Sequence, residues 1–207
     1  MAMTHPLLAA IEQRNSVNHF DAQYQLDDAS IEALIGWAGR APSAFNLQNW
    51  RFVAVRSAVG KQRLRELAWN QPKVSEAAVT FIVCGVLPCA ESLGERLSPA
   101  VASGLMPSEM ALSWQSSAAR MYAEVPHSRR DEAVRSATFA ASNLMLAGQA
   151  LGLAASPMSG FDIAGVSRAF ALGDEEIPVM LVTLGKAQAN NWPQKPRRPV
   201  KEILELA

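Results

Sequence analysis

Hydrophobic positions along this chain follow two rhythms. Apolar residues recur at helical spacing after Asp27 and Asp28, where Ile31, Leu34, Ile35 and Ala38 share one face until Pro42 ends the run. The same rhythm predicts a helix over 5–14, with Thr4 as N-cap and Pro6 in its first turn, and another over 61–69. A long helix over 130–151 carries Ala140, Ala141, Ser142, Ala147 and Gly148, small residues that let a helix approach its neighbour closely, and it is expected to be central and buried. A short helix over 163–171 follows. The other rhythm is extended. WRFVAVRS (50–57) alternates, while AAVTFIVCGV (77–86) and IPVMLVTLGKA (177–187) are unbroken apolar runs suited to buried strands. Pro88, Pro99 and Pro107 punctuate 88–127, with one helix expected over 106–124. The tail beyond 188 alternates prolines with polar residues and ends in an apolar stripe, Val200, Ile203 and Leu204, that needs something to dock on.

Helices outnumber strands and do not alternate with them regularly. The expected class is therefore α+β, a small mixed sheet packed between helices, in one domain spanning 1–207 with 188–207 as a C-terminal arm. A chain of 207 residues, 49% hydrophobic and 18% charged, can bury a sizeable core. Nineteen basic and nineteen acidic residues cancel, so no general basic field favours nucleic acid or an anionic membrane; the local exception is KPRR at 195–198. No apolar run reaches the roughly 18 residues of a membrane span, and the N-terminus lacks a signal-peptide pattern. Cys84 and Cys89 have neither redox nor zinc spacing, and a cytoplasmic location is expected.

The usual motifs of side-chain chemistry are missing. The sequence has no Gly-rich dinucleotide fingerprint after a strand, no phosphate-binding P-loop, no zinc-protease motif and no nucleophile elbow. His5, His19 and His127 are far apart. An organic cofactor that brings its own chemistry fits such a chain better. The stretch APSAFNLQNW (41–50) spends three uncharged amides on a connection that a simple turn could make, which suits a planar ligand rich in heteroatoms.

That loop is one of several segments that belong together: RNSVNHFD (14–21), NQPK (70–73), SPMSGFD (156–162) and KPRRP (195–199). Taken in order, Arg14, Ser16, Phe20 and Asp21, then Pro42, Ser43, Asn46 and Gln48, then Pro157, Gly160, Phe161 and Asp162, then Lys195 and Arg197, resemble the FMN-dependent nitroreductase family from Arg14 to Pro199. The loop and the RDEAVR helix start look most similar to bacterial NAD(P)H nitroreductases with quinone-like substrates.

The resemblance implies tightly held, non-covalent FMN. Arg14, Lys195 and Arg197 would meet its phosphate, with Asn15, Ser16 and Asn18 alongside. Asn18 stands where relatives often carry a base. Pro42, Ser43, Asn46, Gln48, Asn70 and Lys73 would line the ring and its polar edge. Pro157 and Met158 would lie on one ring face, and the amides of Ser159 and Gly160 at flavin N5, with Ser159 in place of a common Glu. The chemistry would be ping-pong two-electron transfer from NADH or NADPH to a nitroaromatic or quinone-like acceptor, with no catalytic side chain. A non-catalytic FMN carrier, or a relative that reduces an enone, halophenol or semialdehyde, are the alternatives. The resemblance also implies an intertwined homodimer with the cofactors between subunits. Met106, Met110, Trp114, Met121 and Tyr122 form either a wall over the substrate or ordinary helix core.

Overall fold

The computed structural model describes residues 5–125 and 127–207. Its elements run α1 (Pro6–Gln13), α2 (Asp28–Ala38), β1 (Trp50–Val55), α3 (Ala58–Leu67), α4 (Lys73–Glu76), β2 (Val79–Val86), α5 (Ala90–Ala102), α6 (Ser108–Glu124), α7 (Ser128–Ala150), β3 (Ala154–Met158), α8 (Ile163–Ala169) and β4 (Glu176–Gly185). The expected cap Thr4 lies outside the described residues. His5 takes that place, its ring accepting a bond from the Leu7 amide.

The four strands stand in the order β1-β2-β4-β3, and every pairing among them is antiparallel. Among the described residues, the parallel component of the predicted mixed sheet is confined to a bridge between Ser16 and Ala155. Central β2 shows why an unbroken apolar run was needed. By strand alternation Val79, Phe81 and Val83 face α2 and α7, while Ile82 and Cys84 face α3, α4 and α8, so both faces are buried. A bulge between Val83 and Cys84 accommodates Pro178 of β4, which has no N–H to give to a regular ladder.

Helix α7 is central, as its small residues predict. Ala133, Ala137, Ala140, Ala141 and Gly148 are buried, whereas Ser142 is exposed. The small face packs inside the chain, on the sheet and on α2. A Cβ at Gly85 would stand 2.4 Å from the Ala133 carbonyl oxygen, so helix and strand backbones nearly touch there.

Two elements differ from expectation. Pro99 does not break 88–106 but sits inside α5. Its missing N–H costs one bond near the helix end, and Leu93 and Leu97, buried in a cluster shared with α6, hold the helix together. The SPM run, to which the sequence pattern assigns no element, is most of β3, where Pro157 pairs with Val182. The strand lies at the sheet edge, where a proline is tolerated.

Candidate functional site

Residues 14–20 run between β3 and the C-terminal segment. On one side Ser16 bridges Ala155, and the Val17 amide donates to the Ala155 carbonyl at 3.4 Å. On the other, Asn15 Nδ2 donates to the Trp192 carbonyl at 3.0 Å, and Gln194 Nε2 to the Arg14 carbonyl at 2.8 Å. Asn191 is the clasp. Its Oδ1 accepts from the amides of Asn18 and His19 at 2.7 and 3.0 Å, and its Nδ2 donates to the His19 carbonyl at 2.7 Å. The motif aromatics and acids next to these residues are architectural. Phe20 is fully buried, and Asp162 caps α8 by accepting from Gly165 N at 3.0 Å.

This convergence gathers cations. Lys73 Nζ, at the start of α4, donates to Ser156 Oγ at 3.1 Å and to Asn18 Oδ1 at 3.4 Å. Its pKa is pushed below the ordinary 10.5, first by burial and then by the positive charge of Lys195. Arg14 Nη1 is buried without a hydrogen-bond partner. Among the described residues, none of the ion pairs involves Arg14, Lys73, Lys195 or Arg197. Buried polar hydrogens and crowded like charges with no counter-ion are costly unless an anion satisfies them. Arg197 is one step removed: Nη2 donates to Gln194 Oε1 at 3.2 Å.

Along β3 from Ser156, Met158 departs from the ring-face prediction. Strand alternation puts its side chain on the same face as Ser156, into the core with Leu64, Val74, Ile82 and Leu181. Gly160 lies against an exposed aromatic. An ideal Cβ there would meet the Trp69 ring at 2.6 Å. Trp69 and Asn70 both have left-handed backbones, φ 53° and 57°. Arg65 braces them: its carbonyl accepts from Asn70 N at 2.9 Å and its Nε donates to Asn70 O at 3.3 Å.

The loop 42–48 forms a separate group. Ser43 Oγ accepts from Gln48 N at 2.9 Å, and Gln48 Nε2 reaches Asn46 Oδ1 at 3.4 Å. Phe45, Asn46 and Gln48 hold φ of 53°, 58° and 48°. Consecutive left-handed non-glycine residues are strained, and such strain concentrates at ligand sites. Leu47 is buried and Phe45 packs beside it on the α5–α6 cluster, edge-on to Trp114 at 6.0 Å. Trp114 is thus partly core, whereas Met110 is 46% exposed. Tyr122 is pushed up to about 12, first by burial and then by the Glu132 charge.

The structure therefore brings Arg14, Asn15, Ser16, Asn18, Lys73 and Lys195 together and ties Ser43, Asn46 and Gln48 to the α5–α6 pair. Sequence reasoning missed Ser156, Asn191 and Trp69. A pair of asparagines before Trp-Pro was the only local hint of the clasp. No metal-ligand cluster of His, Cys, Asp or Glu occurs among the described residues, and no described helix is long and apolar enough to cross a membrane.

Comparison with known proteins bears on this arrangement. A family model described as Nitroreductase family matches residues 11–186. The protein DrgA of Synechocystis is 34% identical over 86% of this chain and 82% of its own. YdgI of Bacillus subtilis, which carries a provisional NAD(P)H nitroreductase name, is 28% identical over 99% of both chains. A crystal structure from Exiguobacterium sibiricum, solved in complex with FMN, superimposes with a TM-score of 0.90 at 28% identity, covering 100% of this chain and 99% of that one.

Proposed function

This chain belongs to the nitroreductase family, and we propose that it is an FMN-dependent NAD(P)H oxidoreductase acting on nitroaromatic or quinone-like acceptors. The observation that carries this reading is the group of cations without counter-ions: Lys73 with its lowered pKa beside Lys195, and Arg14 with a buried, unpartnered Nη1. A phosphomonoester with about −1.5 to −2 charges is the kind of anion that such a group would hold. Bound FMN would supply the redox chemistry, accepting two electrons from NADH or NADPH and passing them to the acceptor in a ping-pong cycle.

The chain's own residues bind and orient. Arg14, Ser16 and Lys195 take the phosphate end, and Asn15, Asn191 and Gln194 fix the two chain segments that carry them. Arg197 acts through Gln194. Lys73, oriented by Ser156 and Asn18, places its ammonium at the polar edge of the ring with Asn70. Gly160 leaves its main chain accessible to a flat group, and the amides of Ser159 and Gly160 face the reactive edge. The fixed donors of the strained loop at Ser43, Asn46 and Gln48 serve a second copy's cofactor. Two features support such a homodimer. Val200, Ile203 and Leu204 are exposed, and so are Leu7, Trp37 and Leu151, which line a cleft of about 430 Å³ between α1, α2 and α7. The whole chain, arm included, acts as one domain.

The test is spectroscopic. Purified protein is expected to be yellow, with FMN released on denaturation. Anaerobic NADH or NADPH should bleach the flavin band, and a naphthoquinone should restore it. A colourless protein that does not retain added FMN would refute the proposal. Retained FMN that neither nicotinamide bleaches would make the protein a carrier.

A further inference from the structure

Trp69 has no role in the site as described so far, yet its placement is costly and specific. The residue is 71% exposed, so it adds little to the core. Its backbone is left-handed at φ 53°, uncommon for a bulky residue. The segment that carries it is clasped to the end of β3: Gln71 Nε2 donates to the Gly160 carbonyl at 3.2 Å, and Asp162 N to the Leu67 carbonyl at 2.8 Å. Between these two bonds the indole edge lies on Gly160, where a Cβ would meet its ring carbons at 2.6, 3.0 and 3.4 Å. Glycine at 160 thus makes room for this aromatic as well as for a ligand.

The position along the strand sets what the indole can touch. The cations cluster at Ser156, four residues before Gly160, which is roughly 13 Å in extended chain. Trp69 stands at the far end, beside the amides assigned to the reactive edge. Reacting atoms must approach within about 3–3.5 Å, so a molecule exchanging electrons there lies beside the indole. We infer that Trp69 is a specificity-determining residue whose indole stacks on flat aromatic acceptors at the Gly160 end of the site. This rests on the flavin reading above and adds the residue that selects among its flat acceptors.

The test is equilibrium binding of 1,4-naphthoquinone to the oxidised FMN-loaded protein without nicotinamide, followed by perturbation of the flavin band. Trp69→Ala should weaken Kd about 2- to 12-fold, the loss of one aromatic stack. Trp69→Phe should stay within about twofold, because the stack survives. FMN content and oligomeric state are measured on each variant. An unchanged Kd in Trp69→Ala would overturn the inference, as would loss of FMN or dissociation of the oligomer, which would make the indole a cofactor or subunit contact. Wild-type protein without FMN would sink the flavin reading itself, and the inference with it. Wild type that holds FMN beside an unaffected Trp69→Ala would sink the inference alone.

Discussion

Removing the Lys73 ammonium should separate cofactor binding from folding. Lys73 makes two hydrogen bonds, to Ser156 Oγ and Asn18 Oδ1, and faces the positive charge of Lys195. In Lys73→Met the apolar stem remains and the charge goes. One charge-assisted hydrogen bond contributes roughly 1.5–3 kcal/mol, or about 12- to 160-fold in Kd. The folded protein alone should change little, because removing a crowded, half-buried cation offsets the loss of its bond to the buried Ser156 Oγ. The pH dependence gives a second readout. Burial and Lys195 hold the folded pKa below 10.5, so above that folded value the ammonium is lost sooner than in the unfolded chain. Below the folded pKa, both states are protonated, and the full cost of the charged lysine falls on the folded state. Stability is therefore gained as pH rises from the folded value to 10.5. FMN affinity runs the other way. The acceptor at the polar edge of the ring takes its charge-assisted bond only from the protonated lysine, so affinity falls as pH climbs through the folded pKa. It also falls below about pH 6, where the phosphate takes up its second proton. Titrating flavin-stripped protein into FMN and following fluorescence quenching measures both. Lys73→Met should bind more weakly and lose the alkaline limb. Binding within threefold of wild type across the range would refute the role given to Lys73.

Other consequences start from the fold. Gly85→Ala drives a methyl against the Ala133 backbone, so it should cost about 3 kcal/mol, at the upper end of overpacking, and lower Tm by roughly 6–12 °C in calorimetry. Asn191→Ala removes three bonds to Asn18 and His19 and one to Gln188; a loss of roughly 2–3 kcal/mol in urea unfolding is expected, with weaker FMN retention as the arm loosens. Cys84 is buried and its thiol pushed up to about 12, whereas Cys89 is exposed. A disulfide-exchange reagent at pH 8 should therefore label one thiol per folded chain and both after denaturation, and fast labelling of both in the native state would contradict the burial of β2.

The elements with a local signal were legible. Asp27 caps α2 through a bond to the Ser30 amide, and the unbroken runs of β2 and β4 pair with each other at the centre of the sheet. What escaped depends on neighbours far along the chain. Nothing within SPM marks an edge strand, because Val182 supplies its ladder. Pro99 hides α5 until its apolar stripe meets α6. In the site, charges and amides could be read from residue type, but Ser156, Asn191 and Trp69 acquire their roles from contacts some 80 to 170 residues away. Met158 shows the converse: its motif position implied a ring contact, and strand alternation put it in the core.

The bonds from Asn191 and Gln194 to residues 14–19 have a consequence for how the protein is made. On the ribosome the early cations emerge long before the segment that clamps them, so a nascent chain released only as far as β4 holds half a cradle. On the proposed flavin reading, cofactor loading would then be a late event in biosynthesis, completed only once Asn191 and Gln194 have been translated, and cells starved of riboflavin would accumulate folded but unloaded chains.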